Sequence, residues 1–198
     1  MAALESLSGR RHAPAQQFKI VRYGHPALRE NAQRVGRVTR EVKELVAHMA
    51  ELMRAAGGLG LAANQVGVAR RVAVVEVEGK LTPLVNPELV SAKGSEPAEE
   101  GCLSLPRLYG MVARPTQVVV KARDLTGKQM KLRAEGLLAR ALCHEIDHLG
   151  GKLFVDRVDE STLHWLVGET TEGEPVIQPT TLEEALKVFV AAGGRDEL

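Results

Sequence analysis

Between residues 39 and 56, apolar side chains recur at Val42, Leu45, Val46, Met49, Leu52 and Met53. That spacing of three and four lays a single stripe along a helix. Thr39 stands at the N-cap position, and Gly57-Gly58 supplies the stop. A second helical run covers 135–149, with Leu138, Leu142, Ile146 and Leu149 as its stripe and Gly150-Gly151 at its end. A third covers 180–192, opened by a capping box at Thr180/Glu183 or Thr181/Glu184 and closed by Gly193-Gly194. Strand-like stretches lie at 18–23, 72–77, 81–85, 117–123 and 129–133, with turn residues such as Glu78-Gly79 and Asp124 to Gly127 between them. Residues 168–179 read as a polar loop and 1–17 as a flexible polar arm. Helices before, after and beyond a block of short strands predict an α+β fold. It has antiparallel sheets around a central helix, with an earlier helix and a C-terminal helix. The expected organisation is an arm (1–17), a catalytic domain (18–158) and an acidic C-terminal extension (159–198).

Composition narrows the function. With 198 residues the chain suits one domain. It has only three Phe, two Tyr and one Trp. The core must therefore be Leu, Val and Ala, and a base-stacking surface is not expected, so DNA is not a predicted partner. The net charge of +1 conceals an asymmetry: residues 159–198 hold nine acidic and two basic groups, so the excess of basic groups lies in the body. Two cysteines suit a reducing, cytosolic compartment. No apolar run approaches the roughly 18 residues of a membrane span, and the first residues lack the apolar stretch of a secretory signal.

The strongest chemical feature is His144-Glu145-Ile146-Asp147-His148, on the second helix. At about 100° per residue, His144 and His148 lie about 40° apart, so both imidazoles can grip one ion. Glu145 flanks that face, within reach of a water on the metal. Two histidines leave a catalytic site one protein ligand short. Cys102, in the loop-like Glu100-Gly101-Cys102-Leu103-Ser104-Leu105-Pro106, is the natural third. Cys143 points about 100° away from His144 and is expected to be a buried spectator. The run Gly57-Gly58-Leu59-Gly60-Leu61-Ala62-Ala63-Asn64-Gln65 lets other backbone approach closely. It ends on an amide donor, Gln65, suited to an oxyanion.

Together GLGLAANQ, EGCLSLP and HEIDHLGG resemble, in order and spacing, the three motifs of the peptide deformylases. Weaker similarity runs from GHPALR to LFVDR. The resemblance implies a metal-dependent hydrolase that removes the N-formyl group from N-formylmethionine on newly made polypeptides and releases formate. It implies Cys102, His144 and His148 as ligands of one divalent ion, usually Fe²⁺ in the cell, with Zn²⁺, Ni²⁺ or Co²⁺ able to occupy the site. Water on the metal would attack the formyl carbon, with Glu145 taking and returning the proton. The Gln65 amide and the Leu103 N–H would stabilise the oxyanion. Gly58, Leu59, Gly60 and Gly101 would meet the substrate backbone as an added strand. Leu137 and Ala141, on the His144 face of the helix, would line the methionine pocket with Leu59. Arg140 would narrow or rim that pocket, and Arg114 would pair with Glu100 or Asp147. Contact with a ribosome would use the basic body rather than the acidic tail.

Two other readings stay open at this point. H-E-x-x-H also serves metallopeptidases. A purely structural ion would need a fourth protein ligand, for which His12, His25, His48 and His164 are the remaining donors.

Overall fold

The computed structural model describes residues 18–191. The arm at 1–17, with His12, and the Gly193-Gly194 stop lie outside the described residues.

Among the described residues nine strands form two sheets. In chain order they are β1 (Gly60–Ala62), β2 (Val72–Val77), β3 (Lys80–Lys93), β4 (Glu96–Cys102), β5 (Leu105–Arg114), β6 (Gln117–Arg123), β7 (Gln129–Glu135), β8 (His164–Glu169) and β9 (Pro175–Pro179). One sheet runs β1-β2-β3-β6-β7 and the other β4-β5-β8-β9, and every pairing is antiparallel. The helices are α1 (Arg40–Ala55), α2 (Gly136–Leu149) and α3 (Leu182–Ala191). The α+β expectation holds, including the central position of α2, which packs against β1, β2, β3, β6 and β7.

The stripe of α1 is buried at Val42, Leu45, Val46, Met49 and Met53 and packs on Leu61, Val72, Val74 and Val85. α2 sits on Val75, Leu84, Val118, Val120 and Ala134 through Ala139, Leu142 and Cys143. Cys143 is buried and 6% exposed, as expected of a spectator. A third cluster joins Leu105, Leu108, Val112, Leu153 and Phe154 of the second sheet to Leu163, Ala185 and Phe189 of the extension.

Three expectations are corrected. Residues 18–23 form no strand: backbone bonds run from the Val21 N–H to Gln65 O (2.8 Å) and from the Tyr23 N–H to Ser104 O (2.9 Å), to two different segments rather than along one neighbouring strand. The polar stretch 168–179 is largely a hairpin, its strand β9 exposed at every residue and therefore without the alternation that marks a half-buried strand. The loop expected around Cys102 is the end of β4 and its tight connection to β5, with a register shift between Gly101 and Cys102. Such a bulge re-aims a side chain at a strand end.

Candidate active site

α2 supplies three of the chemical groups and the β4–β5 connection a fourth. Cys102 Sγ, His144 and His148 each offer a donor atom, and these atoms lie within 4.8 Å of one another. Cys102 Sγ is 3.2 Å from His148 Nε2, which is 3.1 Å from His144 Nε2. Atoms bound to one ion at about 2.0–2.3 Å stand about 3–4 Å from each other, so the donor set fits a tetrahedral divalent site with one position left for water. No other cluster of three such residues occurs among the described residues. His25, His48 and His164 are engaged elsewhere: His25 caps a 3-10 turn, His48 meets Glu44 O and His164 meets Thr162 O.

The tautomer is set from behind. His144 Nδ1 bonds Glu100 Oε2 at 3.0 Å, which turns its Nε2 toward the other donors. Glu100 is in turn held by two bonds from Arg114, both 2.9 Å, and one of 2.8 Å from Arg140. Arg114 also pairs with Asp147, which Arg157 grips at 2.6 and 2.9 Å. The expected Arg114 pairing is thus present with both partners, and it ties β4, β5 and α2 together. The sequence reading gave Glu100 no role toward His144.

The electrostatics follow from burial and these partners. Burial disfavours the Glu100 carboxylate, but the bonds from His144 and Arg114 outweigh it and hold its pKa at about 2. Burial also opposes charge on His144, yet bonds to Cys102 and Glu100 raise its pKa to about 10. Burial and the neighbouring His144 push His148 well below its ordinary value.

Glu145 is 3% exposed, and its Oε2 has no hydrogen-bond partner. Burial lifts its pKa to about 7. Its other oxygen rests on Gly60, where an added Cβ would fall 2.3 Å away. Any side chain at position 60 would displace the carboxylate. The amide of Gln65 is oriented by its neighbours: Oε1 accepts from the Ala62 N–H at 2.9 Å, so Nε2 faces Ser104 Oγ (3.3 Å) and Cys102 Sγ (3.5 Å). Arg22 Nη1 donates to Leu103 O at 2.9 Å and steadies the connection that carries the Leu103 N–H.

These groups open onto a cleft of about 520 Å³. Gly58, Leu59, Gly60, Gln65, Gly101, Cys102, Leu103, Leu137, Ala141, His144 and Glu145 all line it, while His148 lies fully buried behind. Leu137 is 52% exposed, so it faces the cleft rather than the core. Arg140 lines the cleft, but its guanidinium turns away to Glu96 O and Val112 O, both 2.7 Å. It is a wall staple rather than a gate. Tyr109 also lines the cleft, its ring packed where a Cβ on Gly101 would stand, 2.6 Å from it. That contact follows from the β4–β5 register, which the sequence pattern did not reveal.

A helix presenting two histidines and a buried carboxylate, completed by a thiol from a strand end, is the site of a metal-dependent hydrolase. The polypeptide deformylase family matches residues 17–164, and the chain belongs to that family. It is 47% identical over 163 residues to the peptide deformylase of Thermomicrobium roseum, covering 77% of this chain and 93% of that one. Among solved structures it resembles the peptide deformylase of Legionella pneumophila, with a TM-score of 0.73, 35% identity and coverage of 91% and 99%. It also resembles that of Synechococcus elongatus in complex with actinonin, with a TM-score of 0.72, 34% identity and coverage of 96% and 95%. The chain is thus an enzyme that removes the N-formyl group from nascent peptides.

Proposed function

We propose that Cys102, His144 and His148 hold one divalent ion, Fe²⁺ in the cell, and that the formyl group of N-formylmethionyl peptides is hydrolysed beside it with release of formate. The reading rests chiefly on three donor atoms within 4.8 Å of one another, next to a buried carboxylate oxygen without a partner. A divalent ion there supplies Lewis acidity toward the formyl oxygen and lowers the pKa of a coordinated water.

The remaining chemistry belongs to the chain. Glu145, raised to about 7, takes a proton on Oε2 near neutral pH and returns it to the leaving amine. Gln65 Nε2 and the Leu103 N–H face the developing oxyanion, each contributing about 3–4 kcal/mol. Gly58, Leu59, Gly60 and Gly101 bind the peptide backbone as an added strand, and Leu59, Leu137 and Ala141 receive the methionine side chain. Backbone bonds are indifferent to side-chain identity, which suits an enzyme that meets many nascent sequences. The catalytic unit is residues 18–158, with 159–198 as its extension. The working place is a bacterial cytoplasm, with transient ribosome contact through the basic body.

The test is formate release from formyl-Met-Ala-Ser by anaerobically Fe²⁺-loaded protein, beside Glu145→Gln. The expected result is turnover by the parent, a loss of about 10³-fold in the variant, and one ion per chain in both. Equal cleavage of unformylated peptides would favour a metallopeptidase instead.

A further inference from the structure

The cleft wall beside Gly101 is backed by the C-terminal extension. Across the second sheet, Gly101 of β4, Tyr109 of β5, His164 of β8 and Pro179 of β9 stand opposite one another in register. Opposed residues on neighbouring antiparallel strands share a face and lie side by side. Gly101 leaves an opening at the first place in this row, and the Tyr109 ring fills it. Behind Tyr109 stacks the His164 ring, 6.2 Å away between centroids and 20° from parallel. His164 is itself fixed at both ring nitrogens. Nδ1 meets Thr162 O at 2.9 Å, and Nε2 lies 3.4 Å from Glu99 Oε1.

A second tie runs two residues further along β8. Leu166 O accepts from Arg107 Nε at 2.7 Å. Arg107 holds a φ of 64°, where residues with a side chain are uncommon. Such a backbone persists where its surroundings over-determine it, and the bond to β8 is one such constraint. Glu99, Arg107 and Tyr109 all line the cleft, whereas His164 and Leu166 do not. β8 therefore reaches the cleft through side chains that belong to β4 and β5. A tyrosine free to rotate must be ordered each time a peptide binds, and a ring already packed on its far side is spared that loss. The effect is the same for bound substrate and transition state, so it belongs in KM rather than kcat.

We propose that β8 is the buttress of the substrate cleft, and that His164 is a positioning residue for the formyl peptide, acting through the Tyr109 ring. The inference rests on the reading in which the peptide backbone lies against Gly101.

The experiment measures KM and kcat for formyl-Met-Ala-Ser on the metal-loaded full chain and its variants. His164→Ala should raise KM about fivefold, the worth of one aromatic pair, with kcat unchanged. His164→Leu keeps most of the volume without the ring. It should raise KM less, and it serves where the alanine variant does not fold. His164→Phe keeps a ring and should return KM to the parent value. Tyr109→Ala should raise KM at least as much as His164→Ala. Adding His164→Ala to it should raise KM no further, since residues that act through one group are not additive. Phe189→Ala loosens the extension at its apolar anchor and should leave KM at the parent value while the protein is folded. An unchanged KM in the alanine and leucine variants overturns the positioning role. So does a loss confined to kcat, no rescue by phenylalanine, or a further rise in the double variant. A rise in Phe189→Ala as large as that in His164→Ala overturns it too, since that would be general loosening of the extension. Each of these leaves the deformylase reading intact, whereas failure of the parent to release formate removes both.

Discussion

The β4–β5–α2 centre and the C-terminal unit of β8, β9 and α3 are held by opposite means. In the first, Glu100, Arg114, Glu145 and His148 are each under a tenth exposed. Charges are buried there at a desolvation cost that only close pairing offsets. In the second, β9 is exposed throughout, and Val167, Ile177 and Val190 face solvent. That unit is anchored by Ala185, Phe189 and Leu163 against Leu105, Leu108 and Phe154, with Trp165 5.5 Å from the Phe189 ring. Apolar anchoring fixes position but carries no chemistry. Buried ion pairs fix orientation, which a ligand histidine needs. Equal losses of stability in the two regions should therefore have unequal effects on catalysis.

Arg114→Met leaves Glu100 and Asp147 without their shared partner inside the protein. It should cost about 3–5 kcal/mol in chemical denaturation and weaken metal affinity about 10–100-fold in a chelator competition. Phe189→Ala should cost a similar 3–5 kcal/mol or so through its cavity, yet leave kcat/KM and metal affinity at the parent values while the protein is folded. A metal-affinity loss in Phe189→Ala as large as that in Arg114→Met would erase the distinction.

Acid should separate the regions again. Glu100 is held at about 2, and Asp147 lies below its ordinary value because its bonds to Arg157 and Arg114 outweigh burial. A carboxylate depressed in the folded state binds protons more readily when unfolded. Its contribution is thus complete above the unfolded pKa of about 4–4.5 and is lost as pH falls toward the folded value. Stability of the metal-loaded parent, followed by denaturant titration, should fall steeply between about pH 4.5 and 2. Phe189→Ala should parallel it, whereas Arg114→Met should fall less steeply, because Glu100 without Arg114 titrates closer to its unfolded value. The smallest effect belongs to Thr181, which forms a reciprocal cap with Glu184 at the start of α3. Thr181→Ala should cost about 1 kcal/mol in the same denaturation series, with no change in turnover.

The same contrast governs what could be read in advance. α1, α2 and the strands at 117–123 and 129–133 carry periodicity because one face of each is more buried than the other, and 72–77 reads as a continuous apolar run because Val72 to Val75 are buried on both faces. The histidines and Cys102 were legible because ligand chemistry demands specific residue types. β4, with the sequence EPAEEGC, has no β-branched residue, and its one fully buried carboxylate, Glu100, is inside only because Arg114 and His144 meet it there. Arg114 occupies an inward position of β5, where an isolated arginine ordinarily reads as surface. Long-range pairing decides both, and no local pattern announces it. The β8–β9 hairpin was missed for the opposite reason: with hardly any buried face, it leaves little alternation to detect.

The central claim is that one ion is held by Cys102, His144 and His148, with Cys143 taking no part. Counting bound Co²⁺ in the parent, Cys102→Ala and Cys143→Ala, and recording the thiolate-to-cobalt charge-transfer band of each, tests it directly. The account predicts one ion and a charge-transfer band in the parent and in Cys143→Ala, and loss of the band with greatly weakened binding in Cys102→Ala. Loss of the band in Cys143→Ala, or its survival in Cys102→Ala, would contradict it.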